Sequence, residues 1–201
     1  KDKSSALPAN NNEYYYPAVA STLIFSNLIK KDWLSFGKFR ANYAEVGNDT
    51  SPYQIFNTYD IGAAFNGNAT ASNPSAFNNQ DLKSETSKEF EIGIEMQFFN
   101  NRLGFDLSFY QINSKDIINR VLVPTSTGFS SNVLNSGEVE NKGVELAINA
   151  TPVRSTHFSW EINANFTANR NEVVRIAEGL NEIVIASQFG YLSSGATQKW
   201  V

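Results

Sequence analysis

Cysteine is absent from this sequence, which excludes a disulfide framework, a thiolate metal site and a cysteine nucleophile. Histidine occurs once, as His157, so a Ser-His-Asp triad would depend on that residue and a two-histidine metal site is excluded. No run of about 18 apolar residues occurs, so no helix is expected to span a membrane. That absence leaves a β-barrel open, because barrel strands satisfy their backbone groups within the sheet and need no continuous apolar run. Lysine and arginine nowhere cluster, and the formal net charge is −4, which argues against nucleic acid as partner. Neither a Gly-x-Gly-x-x-Gly nor a Walker pattern occurs. The first residues, Lys-Asp-Lys-Ser-Ser-Ala-Leu-Pro, show no apolar core of a leader peptide, which for a piece of a longer chain carries no message about location. What is plentiful is asparagine, 25 of 201 residues, an excess that fits many turns and polar loops.

The clearest pattern lies between Thr86 and Tyr110. Phe90, Ile92, Ile94, Met96 and Phe98 fall on one parity, while Glu89, Glu91, Gly93, Glu95 and Gln97 fall on the other. Past Asn100 and Asn101 the alternation resumes, with Leu103, Phe105, Leu107 and Phe109 set against Gly104, Asp106 and Ser108. Successive strand side chains point to opposite faces, so this is an antiparallel hairpin with one apolar and one polar face. Asparagine tolerates positive φ and suits the tight turn. A soluble sheet with one wet face alternates in the same way. Aromatic-rich apolar faces, strands of about ten residues and a very short turn also match a transmembrane barrel, apolar toward lipid and polar toward the lumen.

Similar strands are expected over about 14–26, 33–46, 86–98, 103–119, 138–151 and 157–170. Tyr14, Tyr15 and Tyr16 stand at the end of the first, either as an interfacial aromatic girdle or as a sheet-edge cluster, with Pro17 near the strand start. In the second, Ser35, Gly37, Phe39, Ala41 and Tyr43 oppose Phe36, Lys38, Arg40 and Asn42; in a barrel the two cations must face the lumen. Val144, Leu146, Ile148 and Ala150 share a side of the fifth strand. In the sixth, Phe158, Trp160, Ile162, Ala164 and Phe166 oppose Ser159, Glu161, Asn163, Asn165 and Thr167. A helical turn or two is expected over Val173–Leu180. The segment 47–85 is long, polar and without sustained periodicity, and reads as a functional loop. Its Tyr53, Phe56, Tyr59, Phe65 and Phe77 are open to two readings, ligand contact or packing of the loop onto its neighbours, and packing is the expectation. Short connections near 27–32, 99–102 and 151–157 alternate with long ones near 47–86, 120–137 and after 170. Barrels of the outer membrane have this asymmetry of short periplasmic turns and longer extracellular loops.

Three ordered stretches carry a family resemblance. Trp33-Leu-Ser-Phe-Gly-Lys-Phe-Arg-Ala-Asn-Tyr-Ala-Glu-Val-Gly-Asn-Asp-Thr resembles a strand and loop start of SusC/RagA-type TonB-dependent outer-membrane transporters. Leu82-Lys-Ser-Glu-Thr-Ser-Lys-Glu-Phe-Glu-Ile-Gly, followed by Phe98-Phe-Asn-Asn-Arg-Leu-Gly-Phe-Asp-Leu-Ser-Phe-Tyr, is similar in the same way. So is Asn135-Ser-Gly-Glu-Val-Glu-Asn-Lys-Gly-Val-Glu-Leu, with Ala-Thr-Pro at 150–152 and Phe158-Ser-Trp-Glu-Ile-Asn after it. The matches run over roughly residues 1–170 in the family's order. The resemblance implies an all-β fold, about six antiparallel strands of a plugged barrel of about 22. It also implies a multi-pass protein of the outer membrane of a Gram-negative, Bacteroidetes-like bacterium, importing oligosaccharides or peptides. A SusD-like surface lipoprotein would act as lid, and the TonB complex would drive import through an N-terminal region. No plug domain or TonB box is found in this chain, and six strands cannot close a barrel whose smallest examples have about eight. The chain is therefore expected to be a stretch of a longer transporter. A siderophore-type receptor and a soluble β-rich adhesion or carbohydrate-binding module are the alternatives.

The residues expected to face lipid are Phe90, Ile92, Ile94, Met96, Leu103, Phe105, Leu107, Val144, Leu146, Ile148, Trp160 and Ile162. No catalytic, metal or cofactor site is expected. Glu89, Glu91, Glu95, Glu138, Glu140 and Glu145 invite a paired-carboxylate reading, but a polar lumen wall is the simpler account. Asp49 and Asp60 lack the spacing of a calcium loop, and His157 reads as a solvated turn residue.

Overall fold

Residues 1–176 are described by a computed structural model. In chain order they form β1 (Asp2–Lys3), β2 (Glu13–Tyr14), β3 (Ala18–Leu23), β4 (Leu34–Asn48), β5 (Asp60–Phe65), β6 (Asn68–Ser72) and β7 (Ala76–Phe77). β8 (Glu85–Phe98), β9 (Leu103–Lys115), β10 (Ile118–Leu122), β11 (Ser131–Asn135), β12 (Glu138–Arg154) and β13 (Ser159–Arg175) follow. One sheet dominates, in the order β13-β12-β9-β8-β4-β3, and each neighbouring pair is antiparallel. It is a meander of long strands whose ends alternate between short turns and long loops.

The register explains why parity held across the whole sheet. Phe39 stands opposite Ile94, Ile94 opposite Leu107, Leu107 opposite Leu146 and Leu146 opposite Phe166, so one cross-strand row is apolar through five strands. The rows on either side, Gly37–Met96–Phe105–Ile148–Ala164 and Ala41–Ile92–Phe109–Val144–Ala168, are also apolar. The β8–β9 turn places Phe99, Asn100 and Asn101 at φ of 53°, 54° and 63°, the left-handed region the asparagines suit and the phenylalanine does not.

No second layer covers this sheet among the described residues. The buried core lies instead above the long-loop end, where Leu7, Ile55, Leu82 and Val133 pack together with Tyr14 and Ile118 against them. Around that core β1 pairs β2, and β10, β11 and β7 form a small three-stranded sheet. Asn135 ties two loops, donating from Nδ2 to the carbonyls of Lys83 (2.7 Å) and Asp116 (2.8 Å) and accepting from the Lys83 amide (2.9 Å). The hydrogen bond from the Lys1 ammonium, with its charge, holds the Glu13 carboxyl below its usual range. We call this assembly the crown.

Several boundaries differ from the sequence reading. The first sheet strand is only Ala18–Leu23, because Pro17 separates it from Tyr14, which joins the crown core. β9 stops at Lys115, where Asp116 takes a left-handed conformation (φ 57°), and the chain re-enters the crown as β10. The presumed loop 47–85 contains β5, β6 and β7, and 124–136 contains β11. The turn from β5 to β6 is Asn66-Gly67 (φ 48° and 77°), a hairpin signal visible in the sequence. The helical expectation over Val173–Leu180 fails at Val173–Arg175, which continue β13; residues from 177 onward lie outside the described ones.

Candidate functional site

The sheet sorts its charges between two faces. On the polar face Arg40 sits opposite Gly93 and spreads over it: a Cβ at 93 would lie 2.5 Å from Arg40 Nε. Lying flat, the guanidinium reaches across two strands, donating from Nε to Glu91 (3.2 Å) and, as a fork, to both Asp106 carboxylate oxygens (2.8 and 3.1 Å). Lys38 Nζ pairs with Glu95 at 2.5 Å one row away. With side chains 21–39% exposed, each Arg40 pair is worth about 1 kcal/mol or less. Glu89 and Glu145 share this face and the shallow depression of about 430 Å³ beside Arg40. The cations the sequence reading aimed at the lumen thus lie among acids that it placed on the same face. Glu138 and Glu140 do not join them; their parity puts them on the other face.

That other face is the apolar one, and its large side chains are bare: Phe39 is 41% exposed, Phe90 45%, Trp160 52% and Phe166 59%. All twelve residues expected to face lipid share it by register and strand parity. The apolar stretch has sharp limits. Toward the long loops it ends in a belt of ion pairs, Lys88–Glu45 (3.4 Å), Lys115–Glu138 (3.1 Å), Lys142–Glu140 (2.5 Å) and Arg170–Glu172 (3.1 Å). Toward the short turns it ends in aromatics, with Trp33 stacked on Phe98 at 5.9 Å and Phe99, Phe158 and Trp160 exposed nearby. From Phe90 to Phe98 the strand rises about 27 Å, or about 20 Å along the normal at a tilt of roughly 40°, close to the roughly 25 Å apolar band of barrels.

Glycines on the polar face keep its relief low. Tyr110 folds over Gly143 in the cross-strand position, where a Cβ would lie 2.6 Å from the phenol oxygen and 2.8 Å from the Ala168 carbonyl oxygen. A Gly143→Ala change is expected to destabilise the folded protein by about 1–3 kcal/mol, because a backbone atom as well as the ring must move. Denaturant midpoints of the two proteins check this; an unchanged midpoint would mean the strand yields freely.

The expectation that the loop aromatics pack holds for Phe77, which meets Phe129 edge-on at 5.0 Å, but not for the other four among the described residues. Tyr53 is 80% exposed, Phe56 56%, Tyr59 70% and Phe65 72%, and it is the aliphatic Ile55 and Leu82 that fill the core. Sequence reading missed them because lone apolar residues in an irregular segment have no period. His157 is exposed on the β12–β13 turn. Among the described residues no group of His, Asp and Glu could hold a metal ion.

A long antiparallel meander, unlayered, apolar on one face and acidic on the other, is a strip of barrel wall. The chain belongs to the family described as TonB dependent receptor-like, beta-barrel, which matches residues 5–189. It is 31% identical over 204 aligned positions to TonB-dependent receptor P3 of Formosa agariphila, covering 98% of this chain and 20% of that protein. It is also 31% identical to TonB-dependent receptor SusC of Bacteroides thetaiotaomicron over 135 positions, 67% of this chain and 12% of that one. Among solved structures it is similar to the RagAB peptide importer in the 'closed-closed' state, with a TM-score of 0.81 and 27% identity over 90% of this chain and 20% of that one. The chain thus spans about a fifth or less of the length of these relatives.

Proposed function

We propose that this chain is part of the barrel wall of an outer-membrane transporter of SusC/RagA type. The wall's apolar face, with the twelve residues named above, contacts the lipid of the outer membrane of a Gram-negative cell; the polar face lines the lumen; the crown is extracellular. The carrying observation is the bare apolar band, bounded by aromatics at the short turns and ion pairs at the loops, with no layer packed on it among the described residues. In water such a face would be covered by a second layer. The whole protein imports large nutrients, oligosaccharides or peptides, beneath a SusD-like surface lipoprotein and powered through TonB. Similarity to SusC and to the RagAB peptide importer supports this reading.

The test is the native polypeptide purified from detergent-solubilised outer membranes. A chain several times the 22.3 kDa of this sequence, co-purifying with a lipoprotein of different sequence, is the expected result. A 22.3 kDa protein that stays soluble without detergent would sink it in favour of a soluble binding module.

A further inference from the structure

The two ends of the wall carry their charge differently. At the loop end each cation of the belt, Lys88, Lys115, Lys142 and Arg170, has a carboxylate within 3.4 Å. At the short-turn end Lys30, Lys31, Arg102 and Arg154 are exposed, and none of them forms an ion pair among the described residues. Across the connections 24–33, 99–102 and 154–158 these cations meet a single acid, Asp32, in a chain whose net charge is −4. Basic charge is concentrated here against the balance of the whole sequence.

Each cation also stands beside large apolar side chains that are bare. Leu28 (74% exposed), Ile29 and Trp33 flank Lys30 and Lys31; Phe99 and Leu103 flank Arg102; Val153 and Phe158 flank Arg154. Hydrogen bonds join the turns into one rim. The Phe99 amide donates to the Trp33 carbonyl (3.0 Å), the Asn101 amide to the Ser35 hydroxyl oxygen (3.2 Å) and the Thr151 amide to the Arg102 carbonyl (2.7 Å). The first of these bonds helps hold Phe99 in its left-handed conformation, which a bulky side chain rarely adopts. Turns recur at every second strand of the sheet, so their tips lie about 10 Å apart, close to the Debye length of about 8 Å at physiological salt. The fields of neighbouring turns therefore overlap. A soluble anion would be met by cations alone, without bare leucine, isoleucine and phenylalanine at their side. The two together fit the boundary of a bilayer, where apolar side chains enter the acyl layer and long cationic ones reach the phosphates.

We propose that the short-turn rim is a binding surface for anionic phospholipid headgroups of the periplasmic leaflet. Lys30, Lys31, Arg102 and Arg154 meet the phosphates, while Leu28, Ile29 and Phe99 enter the acyl layer. This rests on the reading of the apolar face as lipid-facing and adds to it the class of lipid and the residues that select it.

The test uses the full-length protein, purified from outer membranes and reconstituted in phosphatidylcholine vesicles. Recovery in the outer-membrane fraction is read first, so failure of the lipid-facing reading is seen on its own. A fluorophore on Thr156→Cys, at the tip of the β12–β13 turn, is then quenched on contact by nitroxide-labelled phosphatidylglycerol or, in parallel, nitroxide-labelled phosphatidylcholine. Phosphatidylglycerol should quench the otherwise unchanged protein at about fivefold lower mole fraction. With Lys30→Gln, Lys31→Gln, Arg102→Gln and Arg154→Gln combined, the two lipids should quench within about twofold of each other. Exchanging the cations instead (Lys30→Arg, Lys31→Arg, Arg102→Lys and Arg154→Lys) keeps the charge and should keep the preference, and high salt should erase it. Inorganic phosphate should not displace the labelled lipid; displacement would reveal an ion site and overturn the proposal. So would a preference that survives the glutamine changes, one that is lost in the charge-keeping variant, or no preference in the protein with its cations intact.

Discussion

Ile94→Arg will lower the stability of the membrane-inserted protein by about 2–4 kcal/mol, the cost of a cation at mid-depth on the lipid face of a barrel. Ile94 sits in the middle apolar row, between Phe39 and Leu107, two rows inside the belt of charge at the loops. Nothing within that band offers a carboxylate: the acids of β8 are on the opposite parity, and the nearest of the same parity, Glu45 and Glu140, lie at the belt. The comparison that isolates the effect is Gln97→Arg, one face over, where water in the lumen would solvate the cation and the cost should stay below about 1 kcal/mol. Unfolding of the whole protein from lipid vesicles in guanidinium measures both. Equal costs for the two changes would mean that the apolar face does not meet lipid.

Leu82→Ala will loosen the crown without unfolding the wall. Leu82 is fully buried (0% exposed) and packs with Leu7, Ile55 and Val133, the core that joins three loop segments distant in sequence. Removing a buried leucine side chain costs about 2–5 kcal/mol, the transfer term plus the cavity left behind. Because the crown's buried core is separate from the sheet, most of that loss should appear as local opening. Hydrogen exchange of the β10–β11 amides should therefore speed up about 30-fold or more, while amides in the middle of β8 and β9 stay protected. Uniform acceleration across both regions would show that crown and wall open as one unit.

The long strands were legible because each shows a strict period of two over several successive pairs of residues, and a period needs no partner to be seen. Phe90 to Phe98 and Leu103 to Phe109 announce their faces on their own, and the alternation of short and long connections orders them into a meander. Asn100 and Asn101 announce their turn by their tolerance of positive φ. The family, too, was readable from ordered stretches of sequence across the strands. The ends of the strands were less legible. Pro17 and the left-handed Asp116 cut short two strands that apolar residues on either side appeared to prolong, because hydropathy does not register where a backbone bends.

The sequence by itself thus determined the wall: which residues alternate, which face is apolar, and how the turns are spaced. Tertiary structure alone decided the crown and the pairings of charge. Leu7, Ile55, Leu82 and Val133 lie up to 126 positions apart (133 − 7), and only the closing of the loops brings them together. Arg40 chose Glu91 and Asp106 among the acids of its face because register set Gly93 beneath it, leaving room to lie flat. Local alternation is a property of one segment and is written in it. Contacts between loops and between strands depend on register and closure, which no single segment contains.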